Sequence, residues 1–96
     1  MTSISYPWYI LPSGDWYLRS IIVNGSGIET VKIYTSTEYD GDPAQPTETK
    51  SFSTPFNEKR INFDLRQPFV KIRAVFEGTS LNILDVYYNT VEKRIS

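Results

Sequence analysis

Apolar residues recur at every second position through most of this chain, and that alternation constrains the fold more than any other feature. A period of two places one set of side chains on one face of a strand and the next set on the other, whereas a helix would need spacings of three and four. Residues 59–65 (KRINFDL) show it cleanly, with Ile61, Phe63 and Leu65 on one face and Arg60, Asn62 and Asp64 on the other. Residues 69–77 (FVKIRAVFE) set Val70, Ile72, Ala74 and Phe76 inward and turn Lys71, Arg73 and Glu77 away. The segments are rich in β-branched and aromatic residues, and no long helical pattern interrupts them.

Turn residues divide the alternation into short strands. Residues 4–10 form a first, edge strand, because Pro7 cannot donate to a ladder on both sides. Residues 16–23 and 28–36 flank Asn24-Gly25-Ser26-Gly27, where two glycines can take the positive φ of a tight hairpin. Residues 69–77 and 81–88 flank Gly78-Thr79-Ser80 as a second hairpin. The two hairpins superpose at an offset of 53, with Gly25 on Gly78 and Tyr34 on Tyr87, which predicts a shared form with one hairpin in each of two facing sheets. Between them, Glu38 to Ser51 reads as a long exposed acidic loop. Seven or eight short strands in 96 residues predict one all-β domain over residues 1–96, an antiparallel β-sandwich in preference to a closed barrel. The expected inner face is Ile21, Val23, Val31, Ile33, Ile61, Phe63, Leu65, Val70, Ile72, Phe76, Leu84 and Val86.

The composition narrows function mainly by what it removes. The chain has no Cys and no His, so thiol nucleophiles, thiolate metal sites and imidazole bases are unavailable. Catalysis would need converging carboxylates, a Ser-Lys pair or a carboxylate-bound metal, and no such convergence is signalled. Asp40-Gly41-Asp42 opens like a calcium loop, but no Glu completes the twelve-residue pattern. The expectation is therefore a non-enzyme without metal or cofactor. No stretch approaches the length of a membrane helix, and Met1 to Gly14 lacks the basic start of a signal peptide, so a soluble chain made in a cytosol is expected.

Charge is more informative in its distribution than in its sum. The net charge of -1 argues against a nucleic-acid or membrane partner. Residues 1–48 carry -4 and residues 49–96 carry +3. This asymmetry predicts that the acidic loop with Asp40 and Asp42 in one copy meets Lys59, Arg60, Lys93 and Arg94 in another. Aromatic residues make up 15% of the chain, and Tyr6, Trp8, Tyr9, Trp16 and Tyr17 cluster near its start. In Trp8-Tyr9 and Trp16-Tyr17 one member of each pair should face outward, available to a protein interface or to a sugar ring.

The stretch Phe69 to Arg94 resembles the closing segment of small β-sandwich modules in tailed-bacteriophage virion proteins. The resemblance rests on Phe69-Val70-Lys71-Ile72-Arg73, on the Glu77-Gly78-Thr79 turn, on Leu81-Asn82-Ile83-Leu84-Asp85-Val86 and on the basic Lys93-Arg94 ending. RINFDLRQPF is similar to the strand preceding it in such modules, and VKIYTSTEYDG to a strand and loop of discoidin-like, galactose-binding-type sandwiches with a jelly-roll character. The resemblance covers about half of the chain. It implies a structural subunit of a phage particle, in its tail, neck or head-tail connector, baseplate or capsid decoration. Such a subunit is made in the host cytoplasm and works by assembly with copies of itself and other virion proteins. The contact residues expected under this reading are Trp8, Trp16, Tyr39, Asp40, Asp42, Lys59, Arg60, Arg66, Phe69, Lys93 and Arg94. The alternative is a carbohydrate-binding module, in which Trp8, Trp16, Tyr17 or Tyr39 stacks on a glycan and Asp15, Asp40 or Asp42 accepts its hydroxyl hydrogens.

Overall fold

Two of the strands are too long to be straight. The computed structural model describes residues 2–63, 65 and 67–92. Its strands are β1 (Thr2–Ser5), β2 (Tyr9–Ile10), β3 (Trp16–Ser36), β4 (Glu48–Asn62) and β5 (Lys71–Glu92). At about 3.3 Å per residue, 21 or 22 residues would extend for roughly 70 Å. The molecule is 44 Å in its longest dimension, so β3 and β5 must bend sharply.

All pairings are antiparallel and form one sheet in the order β1-β5-β3-β4, with β2 also on β5. The all-β, antiparallel class is as the alternation predicts. The strand inventory is different: among the described residues five strands, two of them long and bent, replace seven or eight short ones. Neither glycine-rich segment reverses the chain. β3 runs through Asn24 to Gly27 and β5 through Gly78 to Ser80; Asn24 to Ser26 pair with residues 82–85, Gly78 pairs with Ile28, and the two segments lie against each other where the register is broken. The segments that superpose by sequence are thus neighbours in one sheet.

Close backbone approach explains the glycines at the bend. Gly27 has φ of 75°, and a Cβ there would strike the Thr79 carbonyl oxygen. At Gly78 a Cβ would strike the Gly27 carbonyl oxygen. Ser26 pairs with Asn82 and Ile28 with Gly78, so residues 79–81 bulge from the ladder. Ser80 takes a positive φ of 54°, and the Thr79 hydroxyl donates to Glu29 Oε2 at 3.0 Å across the bend.

The bend lets one strand touch itself. The Ala74 backbone N–H donates to the Tyr88 hydroxyl at 3.0 Å, joining the two halves of β5. Ile21, Val23, Ile28, Val31, Ile33, Ile61, Phe63, Ile72 and Phe76 fill a single core between them. Most of the expected inner face is therefore buried. Leu84 is the correction, at 69% exposure. Asn24 pairs with Asp85 and Gly25 with Ile83, which leaves Leu84 as the extra residue of a bulge. Val70, Val86 and Leu65 are half-buried, and Phe69 takes a core position beside Val70.

At the β1/β2 edge, Tyr6 N–H donates to Ala74 O at 3.0 Å and Leu11 N–H to Val70 O at 2.8 Å. Pro7 sits in the break between β1 and β2, where its missing donor interrupts nothing. The acidic loop is shorter than expected, because β4 resumes at Glu48.

Candidate interaction surfaces

Three surfaces carry aromatic and charged residues that the core does not use. The first is the outer face of the N-terminal half of β5. Lys71 and Arg73 are two positions apart and share this face. Ile10 pairs with Lys71, which brings Trp8 over the same face from the β2 end of the edge. Lys71 Nζ lies 4.4 Å and Arg73 Cζ 5.1 Å from the Trp8 ring centroid. Tyr34, the cross-strand partner of Arg73, holds the guanidinium 4.7 Å from its own ring. Further along, Lys32 Nζ pairs with Glu77 at 3.3 Å.

The second surface lies where β2 meets the C-terminal half of β5. Tyr9 stacks on Tyr88 with centroids 5.6 Å apart and planes 13° apart. Tyr9, Val86, Tyr87 and Tyr88 line a shallow hollow of about 220 Å³. Tyr9 is 47% and Tyr87 59% exposed. Beneath them Tyr6 packs edge-on against Phe76 at 5.9 Å. Burial raises the Tyr6 hydroxyl above its ordinary range, with a smaller contribution from the Asp85 charge. Burial pushes Tyr88 up to about 12, against the opposing effect of its hydrogen bond with Ala74.

The third surface is the loop end of the sheet. Ser36 Oγ donates to Glu38 O at 2.8 Å, and Gly41 N–H donates to the same carbonyl at 3.1 Å. The Tyr39 hydroxyl donates to Leu11 O at 3.0 Å, tying the acidic loop to the start of the chain. Ser36, Glu38, Asp42, Thr47, Gln67 and Pro68 are among the residues around a polar hollow of about 400 Å³. Among the described residues, no group of three acidic side chains is arranged to hold a metal ion.

The contact residues expected from sequence do not gather on one surface. Tyr39, Asp40 and Asp42 are exposed on the loop. Lys59 and Arg60 are exposed at the far end of β4, where Lys59 Nζ lies 4.8 Å from the Phe52 ring and 5.4 Å from that of Phe56. Trp8 is half-buried under its two cations. Trp16 is half-buried and its indole N–H donates to Pro12 O at 2.8 Å. Phe69 is 1% exposed, because its backbone bonds to Trp16 and draws the ring into the core. Arg66, Lys93 and Arg94 lie outside the described residues.

Sequence reasoning missed Lys71, Arg73 and Tyr34 as a unit. The signal was Lys71 and Arg73 on one outward face, but their aromatic partners come from residues 8 and 34, which only the pairing brings close. No family model, curated protein or solved structure matches the chain.

Proposed function

We propose that this protein is a non-enzymatic assembly subunit that works in multiple copies, of the kind that builds a tailed-bacteriophage particle. The observation that carries the reading is the aromatic surface of exposed Tyr9 and Tyr87 around half-buried Tyr88. It lies beside the C-terminal half of β5, which among the described residues pairs only with β3. Tyrosines around a shallow hollow suit a protein interface, where large amphipathic rings add contact area at little entropic cost. The finer architecture we assign is a jelly-roll or galactose-binding-like sandwich, supported by the contact between the two halves of β5.

Charge placement supports contact between copies. The acidic loop joins β3 to the start of β4, whereas Lys59 and Arg60 lie near the end of β4. The two poles are therefore separated along the β3–β4 pair within one chain, and a second copy can bring them together. Sugar stacking is less favoured at Trp8, Trp16 and Tyr39, because Trp8 packs against two cations and Trp16 and Tyr39 donate to backbone carbonyls.

The test is size-exclusion chromatography with mass detection, followed by negative-stain microscopy. A discrete multimer, ring or tube is expected, with Tyr87→Ser shifting it toward monomer and Lys59→Glu with Arg60→Glu making assembly less stable. A protein that stays monomeric at high concentration and is shifted by a glycan panel overturns the reading in favour of carbohydrate binding.

A further inference from the structure

The geometry points to an anion-binding site at Lys71 and Arg73, taking the doubly charged oxyanion of a phosphate or sulfate group. Most of Lys71 is covered, at 6% exposure, and among the described residues no hydrogen bond or ion pair engages its ammonium, which keeps access to solvent. Arg73 Nε is buried without an acceptor. Leaving a buried N–H without an acceptor is costly, so a group like Arg73 Nε ordinarily finds an oxygen, and the Lys71 ammonium beside it is a second donor. Here their neighbours are aromatic rings, which stabilise a cation but accept none of its directed hydrogen bonds strongly.

The rings also restrict the cations before any ligand arrives. Tyr34 and Trp8 flank the guanidinium, and Trp8 also adjoins the ammonium. A ligand therefore meets groups that have already lost much of their rotamer freedom. The neighbouring cation on this face, Lys32, is paired with Glu77, so among the described residues Lys71 and Arg73 are the two positive charges left there without an ion pair. Two charges match a dianion, and a guanidinium beside an ammonium offers both a planar fork and a point charge to tetrahedral oxygens. The site lies on a different surface from Tyr9, Tyr87 and Tyr88, so it stands or falls separately from the assembly reading.

The test is a titration of the whole protein with sodium phosphate and with sodium sulfate at constant ionic strength, followed by ¹H–¹⁵N spectra that include the Arg73 Nε–H resonance. Saturable movement of that resonance is expected with both anions. Lys71→Met should weaken the response by about tenfold or more, the effect of losing a charge-assisted contact. Fluorescence of Trp8 in a Trp16→Phe background gives a second readout. It also serves for an Arg73→Met variant, which has no Nε–H, and that variant should lose the response. No saturable movement, an equal response to sodium chloride, tighter binding of acetate than of phosphate, or an undiminished response in folded Lys71→Met would each overturn the site.

Discussion

The two halves of β5 belong to one strand and face opposite circumstances. Residues 71–78 have β1 and β2 on one side and β3 on the other, so this half lies inside the sheet. Of these residues only Arg73 and Glu77 escape full burial. Among the described residues, 81–92 pair with β3 alone, and none in that half is fully buried. Similar alternation thus has different outcomes: where both edges are occupied, even Lys71 is covered, and where one edge is open, Leu84 and Tyr87 remain in solvent. Burial along a strand depends on its neighbours as much as on its own pattern.

The comparison is broken most directly by removing one large side chain from each half. Phe76→Ala should cost about 3–5 kcal/mol, the range for emptying a buried aromatic site, while Leu84→Ala should stay within about 0.5 kcal/mol. Urea unfolding monitored by fluorescence checks both, and equal costs would mean that the halves are not distinct.

A smaller effect is expected where the halves join. Gly78→Ala places a methyl group against the Gly27 carbonyl oxygen, with backbone on both sides of the contact. About 3 kcal/mol of stability should be lost, at the upper end of ordinary overpacking. A thermal melt of Gly78→Ala unchanged from the parent would remove the close approach as the reason for glycine there.

The contact between the halves can be followed with pH. Tyr88 keeps its proton up to about 12 in the folded chain, whereas an unperturbed tyrosine ionises near 10.0. Between these values the unfolded chain releases a proton that the folded one retains, so stability present below pH 10 is lost as pH rises toward 12. The loss should be at most about 2–3 kcal/mol. Tyr88→Phe should flatten that slope and, by stranding the Ala74 N–H, cost about 1–2 kcal/mol at neutral pH. Denaturant titrations at a series of pH values measure both effects.

Much of the core was legible because it follows alternation: Ile21, Val23, Val31, Ile33, Ile61, Phe63, Ile72 and Phe76 are buried as their spacing requires. Pro7 at a sheet edge was legible for the same kind of local reason. The glycine segments were misread because positive φ and close backbone approach call for the same residue, and only tertiary pairing separates a hairpin from a bent strand passing another. Leu84 was misplaced because a bulge shifts alternation by one position, and the shift is set by the partner strand. In the candidate sites, exposure of Tyr39, Asp40, Asp42, Lys59 and Arg60 was legible from polarity and loop composition. The grouping of Trp8, Tyr34, Lys71 and Arg73 was not, since it joins three segments far apart in sequence.

The pairing of Thr2 with Gly78 also bears on the order in which the fold is acquired. β3 and β4 are joined by a single loop and can meet early, whereas β1 and β2, among the described residues, pair only with β5. The first residues of the sheet must therefore wait for nearly the last, and the loop-closure entropy of that wait falls on the barrier. Architectures dominated by such distant pairings fold in roughly milliseconds to seconds. Until β5 arrives, β3 presents an unpaired edge and an uncovered apolar face, so the interval before closure is when this chain is most exposed to aggregation.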